Sequence, residues 1–316
     1  MALSVSQIAS ITHRLILPKM VENIFGSNPV LFRLKDKGIK YSGGRVIQQP
    51  LVYKKTDAVG SFEGAEILST TLNDNLTNAE FAWRQYYGTI GITGRDELLN
   101  SGKEGILNLL EAKRLVTELT LMDTMGTDLQ GSNSSGKALD GLGSVLSDTT
   151  TYAGIATADF SDWKAKVRTL SVAGTLTLIE MQKAYGATVV GSDHPSVIVT
   201  RQSVFDKLWT LYQPDQRFTD SKMASAGFST LMFNGIPIVV DSHVTGTDGG
   251  NQDNWIQFLN ERYLWLATHS DSNFKVVAIP PLKDQDVKIV RILWAGNLLC
   301  SNRRMQGVIK TVDPNL

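Results

Sequence analysis

The feature that most constrains this chain is a long, unbroken helical pattern. Ile106, Leu109, Ala112, Val116, Leu119 and Met122 recur at alternating steps of three and four, while Glu104, Glu111, Arg114 and Glu118 fall largely off that stripe. The pattern opens near Arg95-Asp96-Glu97, where acidic side chains suit the positive end of a helix dipole. It stops in the glycine- and serine-rich stretch from Gly131 to Gly136. A helix of about 30 residues is ~45 Å long. Any fold that accepts it is built along a strut.

The segment before the strut reads as a ribbon. Arg45 to Tyr53 is a strand carrying polar residues and Pro50, which suits an edge position. Lys54-Lys55-Thr56-Asp57 and Gly60-Ser61-Phe62-Glu63-Gly64 form a charged, glycine-bearing tip, followed by the polar stretch Ser69 to Asn78. The chain returns along Glu80 to Tyr87, where alternation puts Phe81, Trp83 and Tyr87 on one face. Beyond Gly88 the apolar positions Ile90 and Ile92 change face, which predicts a bulge or bend near Gly88. A two-stranded ribbon over 45–93 is marginal in water by itself, so it must lie on something.

Nearer the start, Val5, Ile8, Ile11 and Leu15 form an amphipathic helix limited by Pro18, either docked on its own core or reaching a neighbour. Ser27-Asn28-Pro29 reads as a breaker before an extended run, Val30 to Leu34. After the joint Gly141-Leu142-Gly143, helical patterns at Phe160 to Leu170, Leu176 to Tyr185 and Val204 to Tyr212 alternate with strands at Pro195 to Val199 and Ile236 to Val240. This describes an α/β lobe. Strands at Trp255 to Leu259, Tyr263 to Thr268, Val276 to Ile279 and Val287 to Trp294 close the chain and need the long helix to pack on.

The sequence advertises no active site. Gly131 to Lys137 has the glycine spacing and lysine of a phosphate loop, but Ala138 replaces the magnesium-binding hydroxyl and the segment follows a helix instead of a strand. It reads as a flexible joint. His13, His194, His243 and His269 stand far apart, Asp284 and Asp286 sit in a turn, and Cys300 lies in an apolar run as a buried thiol. No metal, cofactor or enzymatic activity is expected. The 316 residues are 42 % hydrophobic, and 31 basic residues balance 31 acidic ones, which opposes sequence-reading of DNA. With one cysteine, no spanning helix and no basic leader, the chain is expected in a reducing compartment and away from membranes. The basic pairs Lys54-Lys55 and Arg303-Arg304 are either solvated or intersubunit contacts.

The order of these parts resembles the major capsid protein of tailed phages, the Hong Kong 97-type shell. Local phrases are similar too: Gly141-Leu142 with Thr151 to Ile155, Val197 to Thr200 running into Val204 to Leu208, Phe233 to Asp241, and Phe258-Leu259-Asn260 with Tyr263-Leu264. The resemblance implies an α+β capsid fold with an N-arm (1–44), an E-loop ribbon (45–93), a P-domain spine helix (94–140), an A-domain (141–269) and closing P-domain strands (270–316). It implies a homo-oligomer of hexamers and pentamers enclosing double-stranded DNA in a virion assembled in the host cytoplasm, with a portal and decoration proteins as partners. Because the arm starts at Met1 with no preceding coiled segment, a separate scaffolding protein is also expected. Lys54 and Lys55 stand where some members carry a cross-linking lysine, with no matching asparagine and glutamate identified in the closing strands. The expected intersubunit contacts are Lys54, Lys55, Phe62, Phe81, Trp83, Tyr87, Arg303 and Arg304. An encapsulin-type compartment around an enzyme cargo, and a two-lobed phosphate-binding enzyme, are the competing readings.

Overall fold

A computed structural model describes residues 28–52, 59–68, 76–99, 103–132, 136–158, 160, 162–170, 175–212, 231–244, 254–279 and 286–313. The expected helix at Val5 to Leu15 lies outside them. The first described element is a helix, α1 (Pro29–Asp36), where an extended run was expected. The breaker Ser-Asn-Pro is also a start signal. The Asn28 side chain accepts from the Leu31 N–H at 3.2 Å, and Pro29 occupies the first turn, where its missing N–H costs nothing.

After β1 (Ile39–Tyr41), the ribbon is formed by β2 (Val46–Val52) and β3 (Leu76–Ala82), antiparallel, with Val46 opposite Ala82 and Val52 opposite Leu76. It ends at Trp83, sooner than expected. There the strand breaks, and β4 (Arg84–Thr93) leaves the ribbon to join a larger sheet. Inward positions are odd-numbered before the break (Ala79, Phe81) and even-numbered after it (Tyr86, Gly88, Ile90, Ile92). The change of face is therefore real, but it sits at Trp83. Register runs unshifted through Gly88, which instead lets the long helix approach: a Cβ there would lie 2.6 Å from the Thr117 methyl.

The strut is divided into a short α2 (Gly94–Leu99) and the 28-residue α3 (Lys103–Gln130), ~42 Å long. Its buried stripe is Leu121, Met125 and Leu129, turned from the expected one; Val116 is 43 % exposed, and Leu119 and Met122 are half-buried. β4 covers only one side of the helix, so a second apolar strip on α3 stays open.

The remaining elements are α4 (Leu142–Val145), β5 (Lys166–Thr169), α5 (Leu178–Thr188), β6 (Val197–Thr200), α6 (Gln202–Tyr212), β7 (Met232–Phe233), β8 (Ile236–Val240), β9 (Asn254–Leu259), β10 (Leu264–His269), β11 (Lys275–Ile279), β12 (Val287–Cys300) and β13 (Gly307–Val312). β5 replaces the helix expected from Phe160 to Leu170. Its β-branched Val167 and Thr169 lie in a strand whose backbone groups are satisfied by parallel pairing with β13.

Two sheets organise the body. In the first, β12 is flanked by β4 on one edge and by β10 and β11 on the other, with β1 parallel to β10. The second runs β5-β13-β9-β6-β8-β7, with α5 and α6 packed on its apolar side chains. β10 joins the first sheet and β13 the second, so the sheets exchange strands across position 269. The expected joint Gly141-Leu142-Gly143 is a packed clasp. A Cβ on Gly141 would lie 2.3 Å from the Gly131 carbonyl oxygen, and the Gly143 N–H donates to that carbonyl at 3.0 Å.

Candidate intersubunit surfaces

The ribbon is anchored at one end and bare at the other. At its base Ile47, Ala79 and Phe81 are buried. The Phe81 ring meets Tyr152 edge-on with centroids 5.6 Å apart, and the Glu80 N–H donates to the Ala153 carbonyl at 3.0 Å. The receiving turn is tight, with Ala153 and Gly154 both at positive φ. Farther out the apolar side chains lose their cover. Val52, Val59, Phe62, Ile67, Leu68 and Leu76 are each at least 55 % exposed. An apolar strip of this kind marks a surface awaiting a partner.

The expected contact residues differ in exposure. Phe62 is exposed on the tip, and Tyr87, 71 % exposed, stands on β4 beside Val116 of α3. Arg304 is half-exposed, with a guanidinium nitrogen 3.7 Å from Asp162. Phe81 and Arg303, by contrast, are wholly buried inside the subunit. Trp83 is half-buried, stacked edge-on against His269 and donating through Nε1 to the Gly44 carbonyl at 2.9 Å. Phe81, Trp83 and Tyr87 therefore form no common face, because the strand break intervenes. Lys54 and Lys55 lie outside the described residues.

Arg303 is the main internal organiser. Its guanidinium donates to the carbonyls of Val145 (3.0 Å), Thr150 (3.2 Å), Trp163 (3.2 Å), Ser144 (2.9 Å) and Ser147. Burial holds its pKa below the ordinary arginine value. The loop it gathers carries Tyr152 and Ala153, so it positions the ribbon base. Between the ribbon and this loop runs a groove of about 480 Å³, walled by Pro50, Val52, Phe160, Trp163 and Arg304.

Two further clusters escaped the sequence. Glu261, buried, accepts from Arg33 Nε (2.5 Å) and Nη2 (2.9 Å), from Lys37 Nζ (2.8 Å) and from Ser196 Oγ (3.1 Å). Burial pushes its carboxyl up, but the hydrogen bonds from Arg33 and Lys37 outweigh that and leave it at about 2. This pins α1 to the body, and it was hidden because α1 read as a strand. His243 lies between Asp123 of α3 (2.8 Å) and Asp241 (3.2 Å), tying the long helix to the second sheet across 120 positions. Among the described residues no three His, Cys, Asp or Glu side chains gather as a metal site requires. Gly131 closes α3, its N–H donating to the Thr127 carbonyl, and its own carbonyl is taken by Gly143, as befits a helix stop and not a phosphate cradle.

A second groove, about 800 Å³, lies between α1, the open strip of α3 and the first sheet. Its walls are apolar: Phe32, 75 % exposed, with Leu119, Met122 and Phe274. Arg33, Lys35 and Lys40 also line it, with Lys35 Nζ 4.9 Å from the centre of the Phe274 ring.

No protein-family model and no curated protein matches the sequence. Solved structures do. The capsid asymmetric unit of cyanophage A-1(L) superposes with a TM-score of 0.74 over 98 % of this chain and 100 % of that one, at 17 % identity. The chain has the Hong Kong 97-type shell fold. The SrpI encapsulin of Synechococcus elongatus shares this shell fold at TM-score 0.63 and 11 % identity, over 100 % of this chain and 98 % of that one. The capsid of an empty GTA particle does so at 0.62 and 11 %, over 94 % and 96 %. At such identities the likeness establishes architecture.

Proposed function

We propose that this chain is the major capsid protein of a tailed double-stranded DNA phage, a structural subunit that closes into an icosahedral head around the genome. One observation carries the reading: a shell fold from end to end, bearing a ribbon whose outer half and tip hold six large apolar side chains in water. Each side chain buried against a neighbour contributes about 1.5–3 kcal/mol. Several modest contacts per subunit close a cage by mass action, whereas one very strong contact traps errors. Equal numbers of basic and acidic residues make a wall that neither grips nor repels DNA strongly.

The reading includes hexamers and pentamers of this chain, a portal, a separate scaffolding protein and decoration proteins as partners, and the virion as its location. The N-arm, ribbon, spine helix, A-domain and closing strands serve as its parts, with the ribbon ending at Trp83, β10 belonging with the closing strands and β13 with the A-domain sheet. The stronger likeness to the cyanophage capsid than to the encapsulin favours a genome over an enzyme cargo. Electron microscopy of the expressed chain, with and without its scaffold, tests this. Closed shells are expected, and deleting residues 55–65 leaves a folded subunit that no longer forms stable shells. A chain that stays a monomer under all these conditions refutes the proposal, and shells purified with a protein cargo and no DNA move it to the encapsulin reading.

A further inference from the structure

We propose that the basic rim made by Lys35, Lys37 and Lys40, on α1, its C-cap and β1, contacts the phosphate backbone of duplex DNA, and that this rim faces the inside of the shell. This rests on the shell reading and specifies which surface of the subunit meets the enclosed genome. The neutrality of the whole chain conceals a charge asymmetry. Residues 1–45 hold seven basic residues against Glu22 and Asp36, a net +5, so residues 46–316 carry −5. Charge separated in this way along a chain points to a polyanionic partner at its basic end.

The described part of that tract gathers its cations at one edge of the groove beside α1. Arg33, Lys35 and Lys40 line the groove, and Lys37 joins them through Glu261, whose Oε2 accepts from both Arg33 Nη2 and Lys37 Nζ. Glu261 itself is buried beneath them, and Asp123, the acidic residue of the groove wall, is held by His243 at 2.8 Å. Lys35, Lys37 and Lys40 are exposed, and Lys35 and Lys40 have no carboxylate partner among the described residues. A groove of about 800 Å³ cannot admit a duplex, so DNA touches the rim alone, where ammonium groups act as point charges. Contacts of this kind release counterions and read no sequence. One subunit binds weakly, and many copies along one continuous molecule add up. An acidic protein segment is the other polyanion of matching charge. The basic tract spans 45 residues and includes Arg14 and Lys19 as well as the cations at the groove, which suits a long polymer of regular charge better than one short segment. A second basic cluster, Lys164, Lys166, Arg168 and Lys183, is less free: Arg168 and Lys183 are both taken by Glu180, and Asp148 shares their pocket.

Titrating the full-length chain, held below its assembly concentration, with a short fluorescent DNA duplex at a series of salt concentrations tests the contact. Log affinity is expected to fall with log salt along a slope that Lys35→Gln/Lys40→Gln makes shallower by about 2, since each lost phosphate contact removes about 0.9. Lys164→Gln/Lys166→Gln changes the net charge equally and is expected to leave the slope where it was. Absence of salt-dependent binding, or an equal loss in both double variants, overturns the contact. Binding of polyglutamate that the duplex does not displace overturns it in favour of an acidic protein partner. The facing has its own readout. Lys40→Cys is expected to react with a maleimide carried on a large polyethylene glycol in the free subunit and to be protected in closed shells, with Cys300 buried and silent. Reaction in closed shells overturns the inward facing and leaves the shell reading intact. A chain that forms no particles overturns the shell reading and the facing with it, while the salt slopes still decide the DNA contact.

Discussion

Replacing Arg303 by lysine keeps the charge and removes the fork. The guanidinium serves five backbone carbonyls, of Ser144, Val145, Ser147, Thr150 and Trp163, inside a site sealed from water. An ammonium has three donors, so at least two of these carbonyls lose their charged partner. A hydrogen bond to a charged group contributes about 1.5–3 kcal/mol, and water entering the gap recovers part of it. The Ser147 carbonyl also keeps the Ala165 N–H at 3.3 Å. The lysine variant is therefore expected to lose about 3 kcal/mol, and Arg303→Met, which abandons every acceptor, about 5 kcal/mol. Urea unfolding of the unassembled subunit measures this, with fluorescence of Trp163, whose carbonyl belongs to the network, as one probe. The same loop holds the ribbon base through Tyr152 and Ala153, so the lysine variant should also assemble poorly at temperatures where the subunit is still folded. A loss below about 1 kcal/mol in both variants refutes the account of Arg303 as an organiser.

Glu261 should govern the acid limb of stability. Its carboxyl lies at about 2 in the folded chain against 4.5 unfolded, so its contribution is complete above pH 4.5 and is lost as pH falls toward 2. That amounts to about 3 kcal/mol at most, and Glu261→Gln should remove it at neutral pH and flatten the acid limb, as read by unfolding at a series of pH values. Gly141→Ala drives a methyl group into the Gly131 and Asp128 carbonyls and is expected to cost about 3 kcal/mol of unfolding free energy, whereas Gly60→Ala, with open space around it, stays within about 0.5 kcal/mol. Burial pushes the Cys300 thiol up to about 12 from 9.0, so labelling by a thiol reagent near pH 8 should be about a thousandfold slower in the native subunit than in urea; rapid native labelling would contradict its burial.

Much of the architecture was legible because the signals were local. The strands at Val197, Ile236, Asn254, Lys275 and Val287 are short apolar or alternating runs, and α5 and α6 keep helical spacing, so period alone located them. The failures share one cause. Val30 to Leu34 and Lys166 to Thr169 are too short for period to decide, and their conformations come from a cap at Asn28 and from pairing with β13, a partner more than a hundred residues away. The long helix was found, but its buried side was not. α3 is apolar on more than one face, and which strip is covered depends on where β4 lies.

The candidate contacts divided in the same way. Phe62 was legible as exposed because a glycine-bearing tip has nothing near it in sequence. Phe81 and Arg303 could not be separated from surface residues, since the Tyr152 ring and the five carbonyls that enclose them come from distant segments. The sequence by itself determined the order of elements and the presence of a ribbon unable to stand alone, because these follow from hydrophobic period and turn chemistry acting over a few residues. Only the tertiary structure decided which apolar side chains remain uncovered, because burial is a property of pairs of surfaces and the pairing of β4 with β12, and of α1 with Glu261, is set at long range.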